Sequence, residues 1–252
     1  MTEQRTAIVT GGGSPRGIGR ATARHLASKG HAVAVIDLDG DAAAAVAAEI
    51  ATEFGVPAKG YGADVTDEAS IEAVATAIES ELPVVGALAN IAGITSPVPF
   101  FETTLAEWNR IQTINSTGTY IVTKRFAEGM VERGYGRIAN MSSVSAIRGG
   151  GVFGKVPYSA AKGAILGFTR ALARELGPSG VTVNAVAPGV VSTDIRAGAT
   201  NDELEAKLAA DVPLGRQGTA EEIAALFGFL LGDDSAYITG ATLDINGGSH
   251  IH

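Results

Sequence analysis

Residues 6–19 read Thr6-Ala7-Ile8-Val9-Thr10-Gly11-Gly12-Gly13-Ser14-Pro15-Arg16-Gly17-Ile18-Gly19. The strand-like run Ala7 to Thr10 breaks at three glycines, and a helix-period segment follows from Gly17 to Lys29, stopped by Gly30. Strand, glycine turn and helix in that order suit a diphosphate. Glycines let the backbone turn tightly and come close to a phosphate, and the helix N-terminus favours its charge. Glycines also make ordinary turns, so the next element decides. Ala32 to Asp37 (AVAVID) reads as a second buried strand, and Asp37 stands 18 residues after Gly19. A carboxylate there can accept hydrogen bonds from both hydroxyls of an adenosine ribose, and it repels a 2′-phosphate. Arg16 pulls the other way, because a guanidinium beside the ribose can hold that phosphate. Asp37 is followed by Leu38 and not by a second cation, so the balance favours NAD over NADP.

The alternation continues outward from this unit. Asp41 to Phe54 is helical, with Val46, Ile50 and Phe54 four residues apart and Gly55 as C-cap. Ile71, Val74 and Ile78 mark a third helix, with Thr66 as its expected N-cap. Strands are expected at Val84–Ala89, Arg137–Met141, Val181–Ala187 and Thr242–Ile245, and helices near 104–133, 158–177 and 219–231. Near-continuous apolar strands alternating with helices imply a parallel sheet covered on both faces, a Rossmann-type doubly wound α/β fold. No linker or internal repeat interrupts residues 1–252, which read as one dinucleotide-binding and catalytic domain. Ser192 to Gly218 is the longest stretch without a strand, and 194–215 within it is expected on the substrate side, as a lid or a surface helix with its loops.

Composition narrows the function classes. The chain has 252 residues, 46% hydrophobic and 18% charged, with a formal net charge of −8. That excludes a disordered chain and argues against nucleic-acid binding, which needs a basic face. There is no cysteine, so disulfides, thiolate metal sites and a cysteine nucleophile are excluded. The four histidines lack metal-ligand spacing, and no metal is expected. No apolar run is long enough for a spanning helix, and Met1 to Thr6 has no signal-peptide character, so a cytoplasmic protein without membrane contact is the expectation.

Asp64-Val65 follows the next apolar stretch, in a position to face an adenine ring. Asn90, with Ala92-Gly93, ends the strand after it. Carboxyl ends of parallel strands gather around a ligand, so these residues map one crevice. Farther on, Tyr158-Ser159-Ala160-Ala161-Lys162 puts a phenol and an ammonium one helical turn apart on one face. A tyrosine is a poor base at neutral pH, but a nearby cation favours the phenolate. Such a phenol can take a proton from an alcohol or give one to a ketone. Tyr120 and Lys124 repeat the spacing, so spacing alone decides nothing. Tyr158 differs in having Ser142-Ser143 at a strand end 15 residues earlier, as a hydroxyl source for a substrate oxygen, and small residues around it. Tyr120, among bulky neighbours, reads as core or interface.

Together, Gly13-x-x-x-Gly17-x-Gly19, Asp37, Asp64-Val65, Asn90-x-Ala92-Gly93, Asn115, Ser143, Tyr158-x-x-x-Lys162 and Pro188-Gly189 resemble the classical short-chain dehydrogenases/reductases, in order and approximate spacing. The likeness spans nearly the whole chain, to Asn246-Gly247-Gly248. It implies that Tyr158 is the general acid/base, that Lys162 lowers its pKa and binds the nicotinamide ribose, and that Ser143 polarises the substrate oxygen. It implies that Asn115 holds a water linking Lys162 to a proton relay. Gly11, Ile18 and Leu38 join the expected cofactor contacts, and the Val191 backbone and Thr193 would bind the carboxamide after Pro188-Gly189. It also implies a homotetramer built partly on helices 104–133 and 158–177. The expected activity is interconversion of a secondary alcohol and a ketone with NAD(H). The alternatives are an NADPH-dependent 3-oxoacyl thioester reductase and a non-catalytic nucleotide-binding scaffold.

This chain departs from the family pattern in three places. The glycine loop is longer by two, which leaves Gly11 and Gly13 as alternatives for the turn position. Ile91 stands where a second asparagine is usual. The serine-to-tyrosine gap of 15 is about two longer than common, with the extra residues in 146–157. There Val152, Phe153 and Val156 are candidates to line an apolar substrate pocket, and Arg148 or Lys155 to meet an anion. A merely mobile glycine loop is the other reading.

Overall fold

A computed structural model describes residues 4–196 and 201–251. In chain order the elements are β1 (Thr6–Thr10), α1 (Ile18–Ser28), β2 (Ala32–Asp37), α2 (Gly40–Phe54), β3 (Ala58–Gly62), α3 (Glu68–Glu81) and β4 (Val85–Asn90). They continue with α4 (Leu105–Gln112), a π-turn (Thr113–Thr117), α5 (Gly118–Glu132), β5 (Gly136–Met141), α6 (Ser145–Arg148) and α7 (Val156–Leu176). β6 (Val181–Pro188), α8 (Asp202–Ala210), α9 (Ala220–Leu230) and β7 (Thr242–Ile245) complete the chain. The strands form one sheet in the order β3-β2-β1-β4-β5-β6-β7, with every pairing parallel. This is the doubly wound α/β fold expected from the alternation.

The strands are apolar on both faces because both are covered. Val9, Val35 and Ala89 pack with Leu26, Ile50 and Phe227 on one side. Ile8, Ile36 and Leu88 pack with Ile71, Ile78, Phe126 and Met130 on the other. The period-two alternation of side chains sorts neighbouring residues of one strand into the two cores.

Three local features differ from the sequence reading. β3 was not expected. The stretch before Asp64 was not placed as a strand: Ala58-Lys59-Gly60-Tyr61-Gly62 is less apolar than it read, because α2 lies directly on this edge strand, and a Cβ on Gly60 would sit 2.2 Å from the Ala43 backbone. Glycine in a strand commonly marks such close backbone approach. The N-cap of α3 is Asp67, which accepts from Ala69 N at 2.9 Å. Thr66 instead donates its N–H and hydroxyl to Asp64 Oδ1. The helix expected over 104–133 is interrupted by the π-turn. As one of the two sequence readings expected, the strandless stretch 192–218 carries a helix, α8, and an isolated bridge pairs Val191 with Gly218. Residues 197–200 lie outside the described part.

Candidate active site

The carboxyl ends of β1, β2, β4, β5 and β6 open into one cleft of about 1070 Å³. That exceeds the usual range for small-molecule sites, roughly 300–1,000 Å³, and leaves room for a dinucleotide beside a small substrate.

The glycine loop forms one end. Gly11 leaves β1 at φ +71°, with its N–H on Ile36 O at 2.8 Å, and an added Cβ would lie 2.9 Å from Ala92 Cα. Gly11 therefore takes the turn position that the sequence left open. A Cβ on Gly19 would lie 2.2 Å from Gly11 O, so the start of α1 presses on the turn. Gly13 does not line the cleft; its N–H donates to Asp37 Oδ2 at 2.7 Å and fastens the loop to β2. No side chain caps the N-terminus of α1 at Gly17, which leaves its first N–H groups for an anion. Gly17, Ile18 and Gly19 face the cleft with Asp37, Leu38, Asp64 and Val65. Arg16 lies outside the lining set, ion-paired to Asp194.

Thr10 was missed by sequence reasoning. Its Oγ1 accepts from Ile91 N at 3.0 Å and Ala92 N at 3.1 Å, and this holds Ala92 and Gly93 against the glycine turn. Asn90 is a correction. It does not line the cleft; Nδ2 donates to Thr123 Oγ1 and Asn140 Oδ1, both at 2.8 Å. Asn140 continues the buried chain to Thr169 Oγ1 at 3.0 Å, tying β4 and β5 to α5 and α7. Alternation turns position 90 inward, while the backbone beyond it reaches the crevice.

The four residues expected to be catalytic converge. Asn115 sits fully buried in the π-turn. Its Nδ2 donates to Ile94 O and Ile111 O at 3.0 Å each, and its Oδ1 accepts from Ile94 N at 3.3 Å. A Cβ on Gly93 would meet Asn115 Oδ1 at 2.5 Å and Lys162 Nζ at 3.3 Å, so only glycine admits both side chains here. Lys162 is 3% exposed and donates to Met141 O at 2.9 Å. Its Nζ lies 5.7 Å from the Tyr158 ring centroid. Tyr158 stands on the first turn of α7 and lines the cleft with Ser143, whose Oγ accepts from Ser145 N at 3.1 Å. Gly154 lets the loop close on this ring, since a Cβ there would lie 2.7 Å from Tyr158 Cδ1.

Burial governs both charges. It raises the Tyr158 phenol above its ordinary value, and the Ser143 hydroxyl, rather than the Lys162 ammonium, pulls it back down. The same burial lowers Lys162 to about 8. The expected acidification of the phenol by its neighbour is not the dominant influence here; burial is.

Pro188, Gly189, Val191 and Thr193 form the far wall. Arg148, Val152 and Phe153 line the cleft, and Arg148 Nη1 donates to Ser249 O at 2.9 Å. Lys155 and Val156 do not line it. Tyr120 is 44% exposed, with Lys124 Nζ 5.8 Å from its ring centroid, and neither reaches the cleft. No helix among the described residues is long and apolar enough to cross a membrane.

An uncapped helix start under a glycine turn that no Cβ would fit, with Asp37 beside it, suits a nicotinamide dinucleotide. Comparisons with known proteins agree with this geometry. A family model described as enoyl-(acyl carrier protein) reductase matches residues 11–250. An uncharacterized short-chain type dehydrogenase/reductase, y4mP, of Sinorhizobium fredii is 44% identical, covering 100% of both chains. The 3-oxoacyl-[acyl-carrier-protein] reductase FabG of Aquifex aeolicus is 41% identical over 97% of this chain and 96% of its own. A solved structure of a putative gluconate dehydrogenase from Agrobacterium tumefaciens superposes with a TM-score of 0.90 at 33% identity, covering 97% of this chain and 95% of that one. The chain belongs to the short-chain dehydrogenase/reductase family, as an oxidoreductase by fold, by sequence and by the make-up of its cleft.

Proposed function

We propose that the protein interconverts a secondary alcohol and a ketone with NAD(H), using Tyr158 as general acid/base. The observation that carries this reading is the convergence of the Ser143 and Tyr158 side chains on one cleft, with buried Lys162 and Asn115 beside them. When bound, the nicotinamide supplies or accepts the hydride, and the protein supplies position and the proton. Ketone reduction calls for a protonated phenol next to the carbonyl oxygen. A half-buried phenol raised above its ordinary value is in that form at neutral pH. Ser143 donates a second hydrogen bond to the same oxygen, so charge developing there meets two hydroxyls. In the oxidation direction the phenol accepts the proton that the alcohol gives up.

Asp37 supports NAD(H). Its carboxylate ends β2 at the cleft, with Oδ2 held by Gly13 N, and it repels a 2′-phosphate. A soluble small-molecule substrate and a homotetramer belong to the same reading. A second reading, reduction of a 3-oxoacyl thioester with NADPH, draws support from the relatives named for that activity.

A spectrophotometric screen with NADH and NADPH separates these readings. The panel contains sugars, aldonates, polyols, steroids, aliphatic and aromatic alcohols and ketones, and 3-oxoacyl thioesters. The expected result is turnover of at least one alcohol–ketone pair with a preference for NAD(H). Turnover confined to oxoacyl thioesters with NADPH would establish the second reading. Cofactor binding with no turnover across the panel would indicate a nucleotide-binding scaffold.

A further inference from the structure

One side chain crosses the cleft without belonging to the reacting group. Asp194 opens a short 3-10 turn six residues after β6 and lies 180 residues from Ser14 in the chain. Its Oδ2 accepts from Ser14 Oγ at 3.1 Å and from Arg16 N at 2.9 Å, and its Oδ1 accepts from Arg16 Nε at 2.7 Å. The carboxylate thus takes the guanidinium and the backbone of the same residue, in an arrangement more specific than a chance surface pair. Arg16 holds the Asp194 carboxyl below its ordinary range.

Arg16 is the one cation between Thr10 and Gly19. The loop that carries it is fastened to Asp37 through Gly13 N at 2.7 Å, so Arg16 belongs to the adenosine end of the cleft. The next two arginines, on α1, are also paired, Arg20 with Glu49 and Arg24 with Glu53. A ribose diol needs no cation. A 2′-phosphate, with a charge of about −1.5 to −2, does.

We propose that Asp194 is a specificity-determining residue: by holding Arg16 it withholds the guanidinium from a 2′-phosphate, and with Asp37 it sets the adenosine end for the unphosphorylated ribose. This rests on the NAD(H) reading above and adds a second carboxylate to it, from the opposite side of the cleft.

Calorimetric titration of the intact protein with AMP and with 2′,5′-ADP tests the idea without turnover. The wild type is expected to bind AMP at least as tightly as 2′,5′-ADP. In Asp194→Asn, which can still accept from Ser14 and Arg16 N, 2′,5′-ADP is expected to gain about fivefold, the scale of one partly exposed ion pair. AMP should stay within about twofold, and the double variant Asp194→Asn/Arg16→Gln should lose the gain. Arg16→Gln alone should leave 2′,5′-ADP binding as in the wild type, because the guanidinium is already engaged. An unchanged ligand ratio in Asp194→Asn, or equal weakening of both ligands, would reduce Asp194 to a tie between loops and overturn the proposal. So would a severalfold loss of 2′,5′-ADP binding in Arg16→Gln. A wild type that itself prefers 2′,5′-ADP overturns the NAD(H) reading instead, so the two failures are distinguishable.

Discussion

Lys162 shows at the residue scale how the site trades stability for chemistry. Its ammonium is 3% exposed and donates to Met141 O at 2.9 Å, and burial lowers it to about 8 from 10.5. For a base, a lowered folded-state value means that the unfolded chain binds more protons between about 8 and 10.5. Stability from this group therefore rises with pH across that window, and the penalty is full below about 8. At neutral pH it is on the order of 3 kcal/mol, partly offset by the hydrogen bond. Lys162→Met should raise stability at pH 7 by about 1–2 kcal/mol in denaturant titrations while abolishing turnover. The stability gap should narrow as pH rises from 8 to 10.5. A variant that is both less stable and still active would contradict this balance. Single residues were legible where chemistry demands a type, as with Asp37 after β2 and the Tyr158–Lys162 pair. Asn90 was misread because residue type does not reveal which face of a strand it occupies. Asp194 was missed because its partners stand 178 and 180 residues away in the chain.

At the scale of elements, the π-turn Thr113–Thr117 connects backbone geometry to the site. It interrupts the regular hydrogen bonding between α4 and α5, and the Asn115 side chain bonds Ile111 O in its place, while also holding both backbone groups of Ile94. One buried amide thus joins the helix to the strand-end loop that carries Gly93. Asn115→Ala leaves these groups without partners and should cost roughly 2–3 kcal/mol. The denaturant midpoint checks this, and a loss below about 0.5 kcal/mol would mean that the π-turn holds without its side chain. Helical periodicity gave the span 104–133 but not the break. β3 was hidden as well. Its glycines serve the backbone approach of α2, and a strand specified by contact rather than by apolar side chains carries no periodic signal.

Across the whole molecule, strand–helix alternation sufficed to place the cleft. Parallel strands with right-handed crossovers leave one end of the sheet for a ligand, and motifs scattered from Gly11 to Thr193 meet there. The lengthened loop before Tyr158 stayed ambiguous until its contacts were seen: Val152 and Phe153 face the cleft, while Val156 and Lys155 do not. The central claim is that this whole arrangement delivers one proton from Tyr158. The most direct check is single-turnover hydride transfer in Tyr158→Phe against wild type, using an alcohol–ketone pair that the wild type turns over and with NADH binding confirmed by titration. The account predicts a rate reduced by about 10²–10⁴-fold or more with cofactor affinity retained; a near-normal rate in that variant would contradict it.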